Sequence, residues 1–219
     1  MSHAFIVAFT AAVASQTHTA PQEPDLAVPL EQTRENATKS APLSKEQREF
    51  LARYDWDKWV GDTLGVWVSV REQTMRIVHN GFVVWEARCA TAKKGTGSQI
   101  NSYKTPLGWH SVARKVGDGA PWGQVFEGAK PTREIWKPGQ IVKKDLVLTR
   151  ILWLTGEEPG KNKGGDVDSY KRYIYIHGTN EEETIGEPSS MGCVRLRNDD
   201  VLEAYEKVPL GTKVLITAE

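Results

Sequence analysis

Asn80-Gly81 stands between two runs of β-forming residues, 74–78 and 82–89, and this arrangement constrains the fold more than any other feature of the chain. A two-residue Asn-Gly turn takes positive φ at both positions and matches the twist of paired strands, so an antiparallel hairpin is expected here. Just upstream, Val66, Val68 and Val70 alternate with Trp67 and Ser69. That period of two sends successive side chains to opposite faces of a sheet. Further strands are expected at 109–113, 146–154, 172–177 and 213–217. In the 172–177 run, Tyr173, Tyr175 and His177 share one face, and Ile174 and Ile176 the other. Helices are few. Ser44-x-x-Gln47 is a capping box that opens a helix from Lys45 to about Tyr54. Asn198 is placed to cap a short helix running through Val208. Residues 116–140 and 156–168, rich in Gly and Pro or in Gly and charge, read as long irregular loops and candidate mobile segments. The chain therefore reads as a mostly β domain over 63–219 with one or two short helices and long loops.

The preceding residues divide in two. Residues 4–14, AFIVAFTAAVA, are too short an apolar run to span a bilayer. With Ala12-Val13-Ala14 as a small-residue cleavage site, residues 1–14 read as a secretory signal, so the protein is expected to be exported, to periplasm or cell wall, without a transmembrane segment. Residues 15–62 read as a Pro-bearing linker that carries the short helix. Twenty-eight Lys plus Arg balance 28 Asp plus Glu, which argues against nucleic acid as a partner. Two cysteines exclude a disulfide-rich scaffold and a four-Cys zinc site.

The chemistry concentrates in residues 175–197, YIHGTNEEETIGEPSSMGCVRLR. His177 ends a strand, and Cys193 follows after a loop long enough to bring the two together. An imidazole within hydrogen-bond reach can serve as base for a thiol nucleophile. Gly192 has no Cβ to keep a substrate carbonyl from the backbone, and the Cys193 N–H with a neighbouring amide could stabilise an oxyanion. Arg195, two residues past the thiol, shares its face in an extended chain and offers a fork for a carboxylate. From spacing alone the pair reads equally well as a catalytic dyad or as two core residues, since Cys is among the most buried residue types.

The segment resembles the signature of the L,D-transpeptidase (YkuD-type) catalytic domain. That family carries His-Gly, a loop, then Ser/Thr-x-Gly-Cys followed by an apolar residue and Arg or Asn. Here these are His177-Gly178 and Ser190-Met191-Gly192-Cys193-Val194-Arg195. Thr105-Pro106-Leu107-Gly108 is similar to the family's upstream Thr-Pro-x-Gly element, and the likeness spans roughly 64–217. The resemblance implies a β-sandwich-like fold with Cys193 as nucleophile at the mouth of a cleft. It makes His177 the base, oriented by the carbonyl of Gly178, and places Arg195, Gly192 and Ser190 around the substrate. Arg195 would bind its carboxylate, and Ser190 would shape the Cys loop. It implies attack on peptidoglycan stem tetrapeptides, release of D-Ala, and transfer of the acyl group from a thioester. The acceptor would be a second stem peptide giving a 3–3 cross-link, a wall-anchored lipoprotein, or a D-amino acid. It implies no metal or organic cofactor.

Three other readings remain. Water as acceptor would make the same site an L,D-carboxypeptidase. A Cys89–Cys193 disulfide would leave a non-catalytic wall-binding β-domain. A zinc site from His79, His110, His177 and Cys193 lacks ligand spacing. Glu181-Glu182-Glu183 reads as a solvated loop run. Trp122, Phe126 and Trp136 in the 116–140 stretch read either as part of a substrate cleft or as packing residues, with packing the more usual role of aromatics in loops.

Overall fold

Asn80 and Gly81 have φ of 50° and 76°, and the runs on either side pair as the expected antiparallel hairpin. A computed structural model describes Met1 and residues 40–219. The expected signal at 1–14 therefore lies outside the described residues, except for Met1, as does the linker up to residue 39. In chain order the elements are β1 (Ala41–Pro42), α1 (Lys45–Ala52), α2 (Trp56–Val60), β2 (Leu64–Ser69), β3 (Thr74–His79), β4 (Phe82–Arg88), β5 (Gly108–Val116), β6 (Gln124–Glu127), β7 (Lys130–Ile135), β8 (Val147–Gly156), β9 (Tyr175–Gly178), β10 (Val194–Leu196), α3 (Asn198–Lys207) and β11 (Lys213–Thr217). The chain is mostly β with few short helices, as expected.

The strands run β1-β4-β3-β2-β11-β5-β8-β6-β7, and β9 and β10 branch from β8. Alternation in β2 explains the layering. Val66 and Val68 enter one core with Met75 and Ile77 of β3, Leu152 and Leu154 of β8, Ile176 of β9, Val194 and Leu196 of β10, and Val201 and Ala204 of α3. Trp67 enters a second core on the opposite face, with Leu43, Leu51, Trp56, Val60 and Leu215. The β8–β9–β10 layer and α3 thus cover one face of the sheet, and α1 and α2 cover the other. This is the sandwich-like arrangement the resemblance implied.

Three expectations change. The part of the supposed linker after residue 40 belongs to the fold. Leu43, Leu51, Trp56 and Val60 are buried, and the Ser44 capping box forms, with Ser44 Oγ accepting from Gln47 N at 3.2 Å. Residues 116–140 are not irregular: β6 and β7 form a hairpin around Gly128-Ala129, both at positive φ. Ala at a left-handed position and Pro131 inside an edge strand disguise it. Trp136 and Phe126 are buried there as packing residues. The 156–168 loop is stitched to β5. Asn162 Nδ2 donates to Leu107 O and Trp109 O, each at 3.0 Å, and Glu158 accepts from Trp109 N at 2.6 Å. Among the described residues no helix is long and apolar enough to cross a membrane.

Candidate active site

β9 and β10 are parallel, with Val194 opposite Ile176, Arg195 opposite His177 and Leu196 opposite Gly178. Ile176, Val194 and Leu196 fill the core, so Tyr175, His177, Arg195 and the immediately preceding Cys193 lie on the other face. β9 is shorter than expected. Tyr173 precedes it at φ 57° and stacks on Trp153 with centroids 5.3 Å apart.

His177 is buried, and its Nδ1 lies 2.7 Å from Gly178 O. A carbonyl accepts only, so the proton sits on Nδ1 and Nε2 keeps its lone pair. Burial lowers the His177 pKa, against the pull of the Asp145 carboxylate and the Gly178 carbonyl. Cys193 is half-buried; its Sγ donates to Tyr173 O at 3.3 Å and accepts from Tyr175 N at 3.4 Å. Burial pushes the thiol up to about 11, helped by Asp145 and opposed by the Tyr175 N–H, Arg172 and Arg195. Burial thus favours the neutral form of both the thiol and the imidazole. Alkylation of Cys193 by iodoacetamide is therefore expected to rise about tenfold per pH unit from pH 7 to 10, because reactivity follows the thiolate fraction. Peptide mapping of the alkylated Cys193 across that range checks this; a plateau near neutrality would mean a resting thiolate–imidazolium pair instead.

The Cys loop is braced from within. Gly192 has φ 130°, and a Cβ there would lie 3.2 Å from Lys104 O, so both conformation and space demand glycine. Ser190 Oγ donates to Cys193 O at 2.6 Å and accepts from Gly192 N at 3.1 Å, bracing the loop from within. That occupies the Gly192 amide. Thr105 Oγ1 donates to Gly192 O and accepts from Ala92 N, both at 3.0 Å. This is the structural use of the Thr-Pro-x-Gly element: its buried threonine pins the Cys193 loop to Ala92.

His177 is braced from behind. A Cβ on Gly178 would meet Asn198 Oδ1 at 2.4 Å and Leu148 O at 2.9 Å. Asn198 does not cap α3 with its side chain, as the sequence suggested; Arg197 holds the cap position. Buried instead, Asn198 accepts from Thr149 Oγ1 at 2.6 Å and donates to Thr179 O at 2.8 Å and Glu182 Oε1 at 2.7 Å. Thr149 holds φ 69°, an outlier for a β-branched residue.

Arg195 departs from expectation. It is 0% exposed, pairs with Glu181 at 2.7 Å and Asp145 at 3.0 Å, and also donates to Thr184 Oγ1 and Ser189 Oγ. Its fork is used inside the protein and faces no open space for a substrate carboxylate. Glu181 and Glu182 are correspondingly not a solvated run. Cys89 and Cys193 are both free thiols; Cys89 is buried in the main core, and burial pushes it up to about 12. The alternative disulfide is not formed.

A thiol just before β10 and an oriented imidazole on β9 share one face, the arrangement a candidate cysteine–histidine site requires. The family profile of the L,D-transpeptidase catalytic domain (YkuD) matches residues 64–216, and the chain belongs to that family. YbiS of Escherichia coli K12, described as a probable L,D-transpeptidase, is 56% identical over 151 residues, covering 63% of this chain and 44% of YbiS. ErfK/SrfK of Salmonella typhimurium, described in the same terms, is 32% identical over 113 residues, covering 52% of this chain and 33% of its own length. These matches thus span less than half the length of each relative. A solved L,D-transpeptidase from Mycobacterium smegmatis is similar with TM-score 0.44 and 16% identity, covering 71% of this chain and 58% of that one.

Proposed function

We propose that this protein is an exported cysteine L,D-transpeptidase that transfers peptidoglycan stem tetrapeptides through a thioester. The observation that carries the reading is the locked His177 tautomer, with Nδ1 on Gly178 O and Nε2 left as base on the face that holds Cys193. In the forward step His177 Nε2 takes the thiol proton as Cys193 Sγ attacks the L-centred carbonyl of the diaminopimelate residue. The Cys193 N–H steadies the oxyanion beside the bare Gly192 Cα. The C–N bond to D-Ala breaks, and the proton on His177 passes to the leaving amine. An acceptor amine then gives its proton to His177, attacks the thioester and frees the thiol. The acceptor is a second stem peptide, a lipoprotein lysine or a D-amino acid; water there gives carboxypeptidase action. Family membership and its known acyl-transfer chemistry support the reading, and no metal or organic cofactor enters it.

The test is intact mass of the mature chain before and after incubation with disaccharide-tetrapeptide or a carbapenem. The expected result is a carbapenem adduct on Cys193 and release of D-Ala from the tetrapeptide. Absence of both, with Cys193 still titratable as a free thiol, overturns the proposal.

A further inference from the structure

Burial and internal pairing of Arg195 leave the substrate's carboxylate without the cation the sequence suggested, and the charge of a second arginine, Arg172, also reaches the thiol. Arg172 immediately precedes Tyr173, whose carbonyl accepts the Cys193 thiol at 3.3 Å. Its Nη2 donates to Lys104 O at 2.7 Å. That same carbonyl lies against Gly192, the residue before the nucleophile. The guanidinium is thereby held against a segment that packs on Gly192, and its own backbone leads directly into the carbonyl that accepts from the thiol.

The partners of Arg172 are all neutral: Lys104 O, Gly97 O at 3.4 Å and Ser102 Oγ at 3.4 Å. Among the described residues no carboxylate forms an ion pair with it, whereas Arg195 has two. Five N–H donors in a fork are offered three acceptors, so donors are left over. The side chain is half-buried, open enough to be reached yet shielded enough for its charge to act strongly. Its charge is felt at Cys193, where it opposes the rise of the thiol pKa.

We infer that Arg172 is a carboxylate-binding subsite that reads the free α-carboxylate of the residue leaving the scissile bond. The carboxylate of a C-terminal residue is separated from the scissile carbonyl carbon only by the amide nitrogen and one α-carbon. A cation held on Lys104 O, against the residue before Cys193, is close to the site such a carboxylate would occupy. One further residue moves the carboxylate away by about 3.3–3.6 Å, so stems ending in two D-Ala residues are poorer donors than tetrapeptides. The peptide identity rests on the proposed function; the anion subsite beside the thiol does not.

The experiment compares the full chain with Arg172→Gln and Arg172→Lys in two assays. The first is kcat/KM for tetrapeptide as free acid and as C-terminal amide. The second is the ratio of Cys193 alkylation rates by iodoacetate and iodoacetamide. Loss of a charge-assisted contact predicts a fall of roughly ten- to a hundredfold on the free acid in Arg172→Gln, with little change on the amide. The iodoacetate-to-iodoacetamide ratio falls severalfold in Arg172→Gln and recovers in Arg172→Lys. Equal losses on acid, amide and iodoacetamide would mean that Arg172 only holds the 97–104 loop, and this overturns the inference. So does an unchanged alkylation ratio. If the unaltered chain releases no D-Ala while the ratio still depends on Arg172, the peptide reading falls and the anion subsite stands.

Discussion

Cys193→Ala is expected to take no acyl group from a tetrapeptide or a carbapenem, with turnover down by roughly 10⁴-fold or more, while the chain stays folded. The loss follows from chemistry: no other reactive thiol is available, since Cys89 is buried in the core with its thiol pushed up to about 12. The retained fold follows from the contacts. Cys193 is half-buried and gives up only two sulfur hydrogen bonds, at 3.3 and 3.4 Å. His177→Ala is expected to lose about 10²–10⁴-fold, the usual worth of a positioned general base. It also leaves the Gly178 carbonyl without its donor in a buried site, at a cost of about 1–3 kcal/mol. Stability must therefore be measured beside activity for that variant. His177→Asn, whose Nδ2 stands where Nδ1 stood and can still donate to Gly178 O, separates the two effects by restoring stability without the base. Cys89→Ala serves as the control and retains activity. Acyl-enzyme formation by Cys193→Ala would falsify the assignment of the nucleophile.

The sheet was legible because its signals are local. Asn80-Gly81 dictates a turn through its own φ preferences, and the alternation of Val66, Trp67 and Val68 names both cores. The shared face of His177 and Cys193 was only partly legible: spacing left a dyad and two core residues equally open, and the parallel pairing of β9 with β10 is what brings the two positions to one face. What escaped depends on partners distant in sequence. Asn198 has the chemistry of a helix cap, and only the close approach permitted by Gly178 turns it inward to Thr149 and Thr179. Thr105 looks like a turn residue, and its link to Gly192 O crosses 87 positions. The β6–β7 hairpin hides behind an Ala in the left-handed region and a Pro in its edge strand. A signal for the role of Arg195 was present: an arginine two residues from a half-buried thiol on a sheet face needs carboxylates, and its own loop supplies Glu181.

Arg195→Ala is expected to unfold the protein more easily rather than merely to weaken substrate binding. Removing the fully buried member of a partly desolvated charge cluster strands two carboxylates that are 19% and 34% exposed, which costs about 3 kcal/mol, the low end for a broken buried pair. For a domain of this size that corresponds to a fall in Tm of about 6–12 °C. Asp145 and Glu181 are the stranded carboxylates, and both lie near the base and nucleophile, where Asp145 already raises the pKa values of His177 and Cys193. Arg195 holds these charges on the side of the β9–β10 pair that faces the site, so its loss disturbs the loop carrying Glu181, Thr184 and Ser189 together. Replacing all three charges by apolar residues of similar size, Arg195→Met with Asp145→Leu and Glu181→Leu, is expected to recover much of the stability, because a buried ion cluster is worth little more than well-packed hydrophobics. Thermal and urea unfolding of the single and triple variants measures both effects. A single variant with unchanged Tm and a raised KM for tetrapeptide would return Arg195 to the substrate.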